Sequence, residues 1–538
     1  MVDWIAATFL VGHYILLSVL CIFGLHRFYL TFGALRAYKK PEPTSQFQDL
    51  PHLTVQLPLY NEKYVAQRLI DAAIALDYPR HLLQIQVLDD STDETRSLVA
   101  DSVARYRSQG FDIEQVLRDD RSGYKAGAMA AAFDAVKGEI IAVFDADFVP
   151  APDLLLKMIQ HFTDPEVGMV QAQWDYLNRD RSLLTRTQAL MLDAHFGVEQ
   201  SARFARDVFF NFNGTAGLWR KTAIEEAGGW HADTITEDLD LSYRAQLLGW
   251  KFSYLRDVRC RSELPADMSA YKTQQHRWTK GGIEVMLKLW RQIWQAPIRL
   301  RTRMEASLHL ASNLTHLIIL IDCVLFLIPA VMLRQNILPY PPLWVDLVMF
   351  CFGGLSHLYF YLSAQQILGR SVLEHLLLVP VLMSLTIGLS RSNGTGILEA
   401  LAGHKSGFVR TPKLGEAETQ APELAKTDSY FSRISFSGDL VECGLGGLYL
   451  LASLWCIVNS VFLALPFLLM FTFGFLYTGT SSLRERLGKA DASAGTIATT
   501  PKVGGVSAWS EMPALSGVSA EVNVEVRAKA NAEINCPS

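Results

Sequence analysis

The chain has 538 residues, of which 50% are hydrophobic and 19% charged, and its formal net charge at pH 7 is -5. This length is too great for one ordinary domain, and this hydrophobic fraction indicates a soluble domain joined to membrane segments. The charge shows no basic bias, so electrostatics give no support to nucleic-acid binding. The seven cysteines are scattered, and their spacing matches neither a disulfide framework nor a zinc site.

An apolar run from Ile5 to Phe23 begins the chain. It is long enough to cross a hydrocarbon core, which needs about 20 residues. A cleaved signal peptide is the alternative, but Asp3 precedes the run without any Lys or Arg, which favours an uncleaved anchor over residues 1–33. Basic residues follow the run, so the positive-inside rule places the N-terminus outside and the next segment in the cytosol.

Further apolar runs predict a transmembrane hairpin over 301–370 and a second one over 441–478. The stretch 372–402 between them leaves two topologies open. If it lies in the interface, the chain has five spans and the loop 403–440 is cytosolic; if it crosses the membrane, there are six spans and the loop is external. Basic residues around the loop favour an interfacial helix within 371–440. The tail, 479–538, has no convincing period and is predicted to be disordered.

Strand-like and helix-like segments alternate between residues 50 and 300. The predicted strands at 83–88 and 139–144 end at Asp89-Asp90 and at Asp145-Ala146-Asp147. Open α/β sheets bind ligands beyond the carboxyl ends of their strands. The pattern therefore predicts a doubly wound α/β domain with an acidic, polar crevice.

Three local patterns offer chemistry, and each also has a purely structural interpretation. Asp145 and Asp147 could hold Mg²⁺ or Mn²⁺, or be solvated turn residues. Lys125 follows a small-residue turn that suits a diphosphate, or simply begins a helix. Asp238 follows Thr236 at a helix start, where it could be a general base or part of an ordinary capped first turn.

Six motifs follow one another along the chain: PLYNE at 58–62, LDDS at 88–91, DAD at 145–147, FNGT at 212–215, TED at 236–238 and QQHRW at 274–278. The series resembles the processive family 2 glycosyltransferases, which include cellulose, chitin and hyaluronan synthases. The residues within these motifs most resemble those of the cellulose synthase-like mannan and glucomannan synthases of plants and their bacterial relatives. The resemblance implies a GT-A-type doubly wound mixed sheet over 50–300, cytosolic and inserted between α-helical transmembrane segments.

The resemblance also implies a role for each site residue. Asp238 would accept a proton from the acceptor hydroxyl, and Asp145 with Asp147 would bind Mg²⁺ or Mn²⁺ at the diphosphate. The residues expected to bind the donor are Tyr60, Glu62, Asp89, Asp90, Lys125, Gln274 and Arg277. The residues expected to bind the acceptor are Asn213, Gly214, Thr215, Glu237 and Trp278. The family usually has Phe-x-Cys-Gly-Ser at the acceptor motif, so Asn213 and Thr215 leave the acceptor's identity open.

A further motif that resembles the family lies beyond the domain, in FVRTPK at 408–413. It resembles the Phe-x-Val-Thr-x-Lys gating loop of cellulose synthases, with Phe408, Thr411 and Lys413 at the matching positions and Arg410 in place of Val. Because that loop covers the donor on the cytosolic side, the resemblance implies five spans.

The activity implied is transfer of hexose from UDP-glucose or GDP-mannose to a growing β-linked glucan or mannan, with export through the membrane. One alternative is a non-processive transferase that glucosylates a lipid such as ceramide or diacylglycerol. Another is a scaffold that binds a nucleotide sugar without catalysis. We expect an integral protein of a bacterial inner membrane rather than of a eukaryotic Golgi or plasma membrane, with the lipid bilayer, the donor and a polysaccharide or lipid acceptor as partners and no nucleic acid.

Overall fold

The computed structural model describes residues 2–334, 343–405, 407, 413, 415 and 436–498. Phe408 and Thr411 of the gating-like loop lie outside the described residues. An apolar helix, α1 (Val2–Arg36), precedes the sheet domain. The domain alternates strands with helices until the long helix α10 (Met268–Gln295), and a series of apolar helices follows.

The domain is built on a seven-stranded sheet with the order β3-β2-β1-β4-β6-β5-β7. The strands are β1 (Leu53–Leu59), β2 (Leu83–Asp89), β3 (Asp112–Leu117), β4 (Ile140–Val143), β5 (Val167–Tyr176), β6 (Gly217–Arg220) and β7 (Lys251–Ser262). Neighbouring strands from β3 to β4 are parallel, β6 runs antiparallel to β4 and β5, and β7 is parallel to β5. The sheet is therefore mixed, and the mixed α/β domain that the sequence predicted is confirmed.

Helices cover both faces of the sheet. They are α2 (Ala66–Ile74), α3 (Thr95–Ser108), α4 (Tyr124–Ala131), α5 (Leu154–Ile159), α6 (Leu183–Ala194), α7 (Ser201–Ala205), α8 (Lys221–Glu226) and α9 (Glu237–Leu247). On β4, Ile140 and Ala142 join one hydrophobic core, whereas Ile141 and Val143 join the core on the opposite face. Because alternate side chains point to opposite faces, a strand buried on both sides is apolar throughout.

The helices after α10 are α11 (Leu300–Ala311), α12 (Leu314–Ile321), α13 (Leu327–Leu333), α14 (Leu343–Phe350), α15 (Ser356–Ile367), α16 (Val372–Leu376), α17 (Leu378–Leu401), α18 (Phe436–Val458) and α19 (Leu465–Ala498). Among the described residues, five helical segments are long and apolar enough to cross a membrane: Ala7–Arg36, Leu314–Leu333, Trp344–Ile367, Val372–Leu401 and Ser437–Val458. These segments indicate a membrane protein. They include the stretch that the sequence favoured as interfacial, and they do not include α19.

Helix α19 differs from the sequence prediction, which placed a disordered tail from residue 479. The helix continues to Ala498. Two contacts support the added turns: the Glu485 carboxylate accepts hydrogen bonds from the backbone N–H groups of Met268 (2.7 Å) and Ser269 (3.0 Å), and Arg486 pairs with Asp439 (2.8 Å). Because this partner surface is distant in sequence, the composition of the tail alone did not reveal the helix.

Candidate active site

A cleft opens at the carboxyl ends of β1, β2 and β4, where the motifs of the sequence converge. Most of the predicted site residues line it: Tyr60, Glu62, Asp90, Lys125, Asp145, Asp147, Asn213, Gly214, Glu237, Asp238, Gln274, Arg277, Trp278 and Lys413. The parallel register explains this convergence, since Leu59 pairs with Asp89 and Gln56 pairs with Val143, so the three strands end at one edge. Segments about 200 residues apart thus meet at one place.

Lys125 connects three motifs at the centre of the cleft. Helix α4 begins after Gly123, whose positive φ of 69° turns the chain so that Lys125 points inward. The Lys125 ammonium donates to Asp145 Oδ1 (2.5 Å) and to the carbonyl oxygen of Gly214 (2.7 Å). Burial alone would lower the pKa of Lys125, but Asp145 and other carboxylates of the cleft outweigh that effect and raise it. A permanent cation therefore stands where a diphosphate would need one.

Asp147 is paired with Lys413 of the gating-like loop. The Lys413 ammonium donates to Asp147 Oδ2 (2.7 Å) and to the carbonyl oxygen of Glu263 (3.0 Å). The Glu263 carboxylate in turn pairs with Arg68 (2.5 Å) and accepts from the N–H of Gly415 (3.1 Å). Lys413 therefore lies inside the cleft, beside one of the two carboxylates predicted to bind metal.

Asp145 and Asp147 suit a hard divalent ion such as Mg²⁺ or Mn²⁺. Both carboxylates line the same cleft just beyond β4, and oxygen ligands of this kind, completed by substrate phosphates, are what these ions prefer. Each carboxylate now contacts one lysine ammonium, which shows that the pair attracts positive charge. The residues present therefore fit the metal that the sequence predicted.

Asp238 lies in the first turn of α9 and faces Gly214. A Cβ added to Gly214 would come within 3.1 Å of Asp238 Oδ2, so the glycine keeps this side of the carboxylate open. Burial raises the pKa of Asp238 to about 7, and the neighbouring carboxylate of Glu237 contributes to the rise. Burial likewise raises the pKa of Glu237. A carboxylate with a pKa near neutral pH is well matched to accepting a proton from an alcohol.

The QQHRW motif lies on α10, and three of its side chains reach the cleft. Gln274, Arg277 and Trp278 are spaced by three and four residues, which places them on one side of the helix. Burial lowers the pKa of Arg277 to about 10, against the opposing influence of Glu237, and the guanidinium stays charged at neutral pH. The indole packs beside Tyr176 and Leu264 and offers an aromatic surface at the rim.

Two predicted residues do not line the cleft. Asp89 is 2% exposed, and its carboxylate accepts hydrogen bonds from the Ser91 N–H (2.9 Å) and from Gln115 (2.7 Å). Thr215 is fully buried, and its hydroxyl accepts a hydrogen bond from the Asp145 N–H (2.9 Å). Both predictions of direct contact with substrate are corrected, because burial turns Asp89 and Thr215 into supports for the residues beside them.

Three polar residues that shape the site received no role of their own from the sequence. Arg118 holds Asp90 through both carboxylate oxygens (2.9 and 2.5 Å), and Arg121 stacks 3.3 Å from the ring centre of Tyr60. His195 contacts Asn213 Oδ1 (2.8 Å). Arg118 comes directly after β3, at the same sheet edge as the aspartates, and this position was a signal available in the sequence. The position of His195 depends on tertiary contacts and had no such signal.

Comparison with known proteins agrees with this geometry. Residues 51–281 match the family model described as "Glycosyltransferase like family 2". A probable glucomannan 4-beta-mannosyltransferase of Arabidopsis thaliana is 38% identical over 400 residues, which are 71% of this chain and 69% of that protein. A second Arabidopsis thaliana protein, glucomannan 4-beta-mannosyltransferase 9, is 35% identical over 412 residues, 74% of each chain.

Among solved structures, a mannosyltransferase from Pyrobaculum calidifontis in complex with GDP-Man and Mn2+ matches 70% of this chain and 99% of its own, with 20% identity and a TM-score of 0.46. The curated relatives come from plants, so they give no support to the bacterial membrane that we expected. The six ordered motifs, the family match and these relatives lead to one conclusion. The chain belongs to the family 2 glycosyltransferases and is a hexosyltransferase of the cellulose synthase-like kind.

Proposed function

We propose that this enzyme transfers hexose from a nucleotide sugar to the end of a growing β-linked polysaccharide and passes the product into the membrane. The observation that carries the proposal is one cleft that joins a near-neutral carboxylate, Asp238, to the cations Lys125 and Arg277 and to the Trp278 indole. Trp278 belongs to α10, which contacts α17 through the Lys280–Glu399 ion pair (3.0 Å). A saccharide that leaves the indole would thus be next to an apolar helix.

The reaction follows from the charges in the cleft. Asp238 accepts the proton of the acceptor hydroxyl, whose oxygen attacks the anomeric carbon from the side opposite the diphosphate, so the configuration inverts. Lys125 and Arg277 stabilise the negative charge that develops on the leaving diphosphate, and the forked guanidinium suits a phosphate pair. A divalent ion held by Asp145 and Asp147 would neutralise further charge on the leaving group.

The donor side of the cleft is bounded by groups that suit a nucleoside. Tyr60 offers a ring, already stacked with Arg121, and Asp90 is fixed by Arg118 so that its position is set before binding. UDP-glucose and GDP-mannose both fit this description. The names of the curated relatives favour a mannosyl donor and a bond to the acceptor's 4-position, so we propose GDP-mannose as the first donor to test.

Lys413 supports the proposal that the loop after α17 covers the donor. Lys413 lies outside the sheet domain in sequence, yet its ammonium donates hydrogen bonds to the Asp147 carboxylate and to the Glu263 carbonyl oxygen, both in that domain. A loop that contacts a metal-binding carboxylate in this way is positioned to respond when an ion and a diphosphate arrive.

The test uses the purified full chain in lipid nanodiscs with Mn²⁺ and radiolabelled GDP-mannose or UDP-glucose, offered separately. Asp238→Asn is the catalytic variant, and Asp101→Asn, an exposed change on α3, is its control. We expect polymer that stays at the chromatographic origin with one donor, reduced at least about 100-fold in Asp238→Asn, since a general base contributes about 100- to 10,000-fold. Label that moves only with lipid would replace the polymer assignment by a glycolipid transferase. The absence of any transfer with either donor would favour the scaffold.

A further inference from the structure

A second cleft lies where the sheet domain meets the connection between two apolar helices. Its walls are the chain after β5, the edge strand β7, and the connection Leu368–Gly369–Arg370 between α15 and α16. Five arginines line it, with two aspartates, Asp175 and Asp180. The arginines are Arg179, Arg181, Arg259, Arg261 and Arg370.

Two of these arginines form the fixed floor of the cleft. Arg179, with only 11% of its side chain exposed, holds Asp193 through both carboxylate oxygens (2.7 and 2.8 Å). Arg370 pairs with Asp175 (3.0 Å), which attaches the connection between the two helices to the sheet domain. The floor is therefore preorganised, and the charges of Arg179 and Arg370 are balanced by carboxylates.

Arg259 and Arg261 supply the excess positive charge. They are two residues apart on β7, so they project from the same face of the edge strand, and both are exposed. Within the part of the chain that the structure describes, neither forms an ion pair with a carboxylate. Guanidinium groups present several N–H donors in a planar fork, an arrangement that matches the oxygens of a phosphate.

Apolar side chains next to the cleft indicate which kind of molecule would carry such a phosphate. Arg370 lies two residues before the segment Val372–Leu401, one of the five apolar helical segments. On this segment Leu373 and Leu377 are 80% and 79% exposed, and Leu177 on the domain side is 44% exposed. A soluble phosphate would gain nothing from these side chains, whereas acyl chains could lie against them.

We propose that this arginine cleft binds the phosphate headgroup of an anionic phospholipid, with the acyl chains against the leucines of α16 and its junction with α17. The ligand would connect the edge of the catalytic sheet to the membrane in a cleft that adjoins the donor cleft at Tyr176, which lines both. The proposal does not depend on which sugar the enzyme transfers.

The test measures binding of dioctanoyl phosphatidylglycerol to the detergent-solubilised full chain by isothermal titration. Dioctanoyl phosphatidylcholine and inorganic phosphate are titrated in parallel. The variant is Arg259→Ala/Arg261→Ala, and the matched control is Arg96→Ala/Arg105→Ala, which removes two exposed arginines from α3, on the side of β3 at the opposite edge of the sheet. All four side chains are exposed, so we expect both variants to fold.

We expect phosphatidylglycerol to bind the unmodified chain and the control equally, and to bind the Arg259→Ala/Arg261→Ala variant at least about tenfold more weakly, since each basic residue contributes measurably to the attraction of anionic lipid. Phosphatidylcholine and inorganic phosphate should bind much more weakly than phosphatidylglycerol. Equal affinity of the variant and the control for phosphatidylglycerol would overturn the proposal. Inorganic phosphate that binds as tightly as phosphatidylglycerol would overturn the lipid assignment and identify a soluble anion as the ligand.

Discussion

Asp238 and Glu237 are adjacent carboxylates in one half-buried turn, and their repulsion has a kinetic consequence. Asp238 must be ionised to accept a proton, and its pKa is about 7. We therefore expect kcat/KM to fall as the pH decreases through about 7, because the protonated form is inactive. The measurement is a pH profile of kcat/KM with the preferred donor.

Burial is the main cause of that raised pKa, and the Glu237→Gln variant tests the further contribution of the neighbouring carboxylate. It removes the negative neighbour, so the pKa of Asp238 should fall and the acidic limb of the profile should move to lower pH. Glu225→Gln, an exposed change on α8, is the control and should leave the limb in place. An acidic limb at the same pH in Glu237→Gln and the unmodified enzyme would show that Glu237 does not contribute to the pKa that sets the limb.

Gly214 keeps the space between Lys125 and Asp238 open. Its φ is +79°, and a Cβ there would lie 3.1 Å from Asp238 Oδ2 and 3.6 Å from Lys125 Nζ. We expect Gly214→Ala to lower kcat at least about tenfold, because the added Cβ displaces the Asp238 carboxylate. Gly229→Ala is a close control: it has the same φ, with no heavy atom within 4 Å of the added Cβ.

Both alanine variants carry similar backbone strain, about 1–3 kcal/mol. A loss of activity that is equal in the two would therefore show that strain, rather than crowding of the carboxylate, is the cause.

The sequence predicted the location of residues whose motif lies directly at a strand end. Asp145 and Asp147 follow β4, and the structure places both in the cleft. The partners of these residues could not be predicted, because Lys413 is 266 positions from Asp147 and the intervening chain must fold before they meet. The same reason applies to Asp89, since only the complete packing shows that its carboxylate is buried.

At the scale of elements, the parallel strands were the part of the fold that could be predicted from the sequence. β2 and β4 lie where β-prone runs predicted them, because strands covered on both faces are apolar throughout. The FNGT segment contains Asn213-Gly214, a dipeptide that is typical of a local hairpin. Its strand β6 instead lies between β4 and β5, a pairing of distant segments that no local pattern encodes.

Helix α10 joins the catalytic cleft to the apolar helices through a buried ionic cluster. Lys272 is fully buried and pairs with Asp439 (3.0 Å) and with Glu442 on α18, while Arg391 on α17 holds the other oxygen of Glu442 (2.9 Å). An ion pair of this kind is costly to break from one side, because the remaining charge stays buried.

We expect Lys272→Met to destabilise the protein by about 3–5 kcal/mol and to lower the midpoint of thermal unfolding in detergent. Lys157→Met removes a lysine that is half exposed in its pair with Asp153, and it should leave the midpoint nearly unchanged. Equal midpoints for the two variants would mean that the buried cluster does not hold α10 to α18.

At the scale of the whole molecule, the proposed function requires one chain to carry out both transfer and export. The cleft is lined by residues of the sheet, by residues of α10 and by Lys413, and α10 also contacts the apolar helix α17. We expect such an enzyme to keep its product bound between additions, because the proposed acceptor site lies between Trp278 and Asp238.

The measurement that tests this claim most directly is the length of product chains early in the reaction. The full chain in nanodiscs would be given labelled donor, and products would be sized while less than about a tenth of the donor is consumed. We predict long chains beside unused donor, because a retained acceptor is extended repeatedly before release. Short products that lengthen only as donor is exhausted, or a single sugar on lipid, would contradict the account.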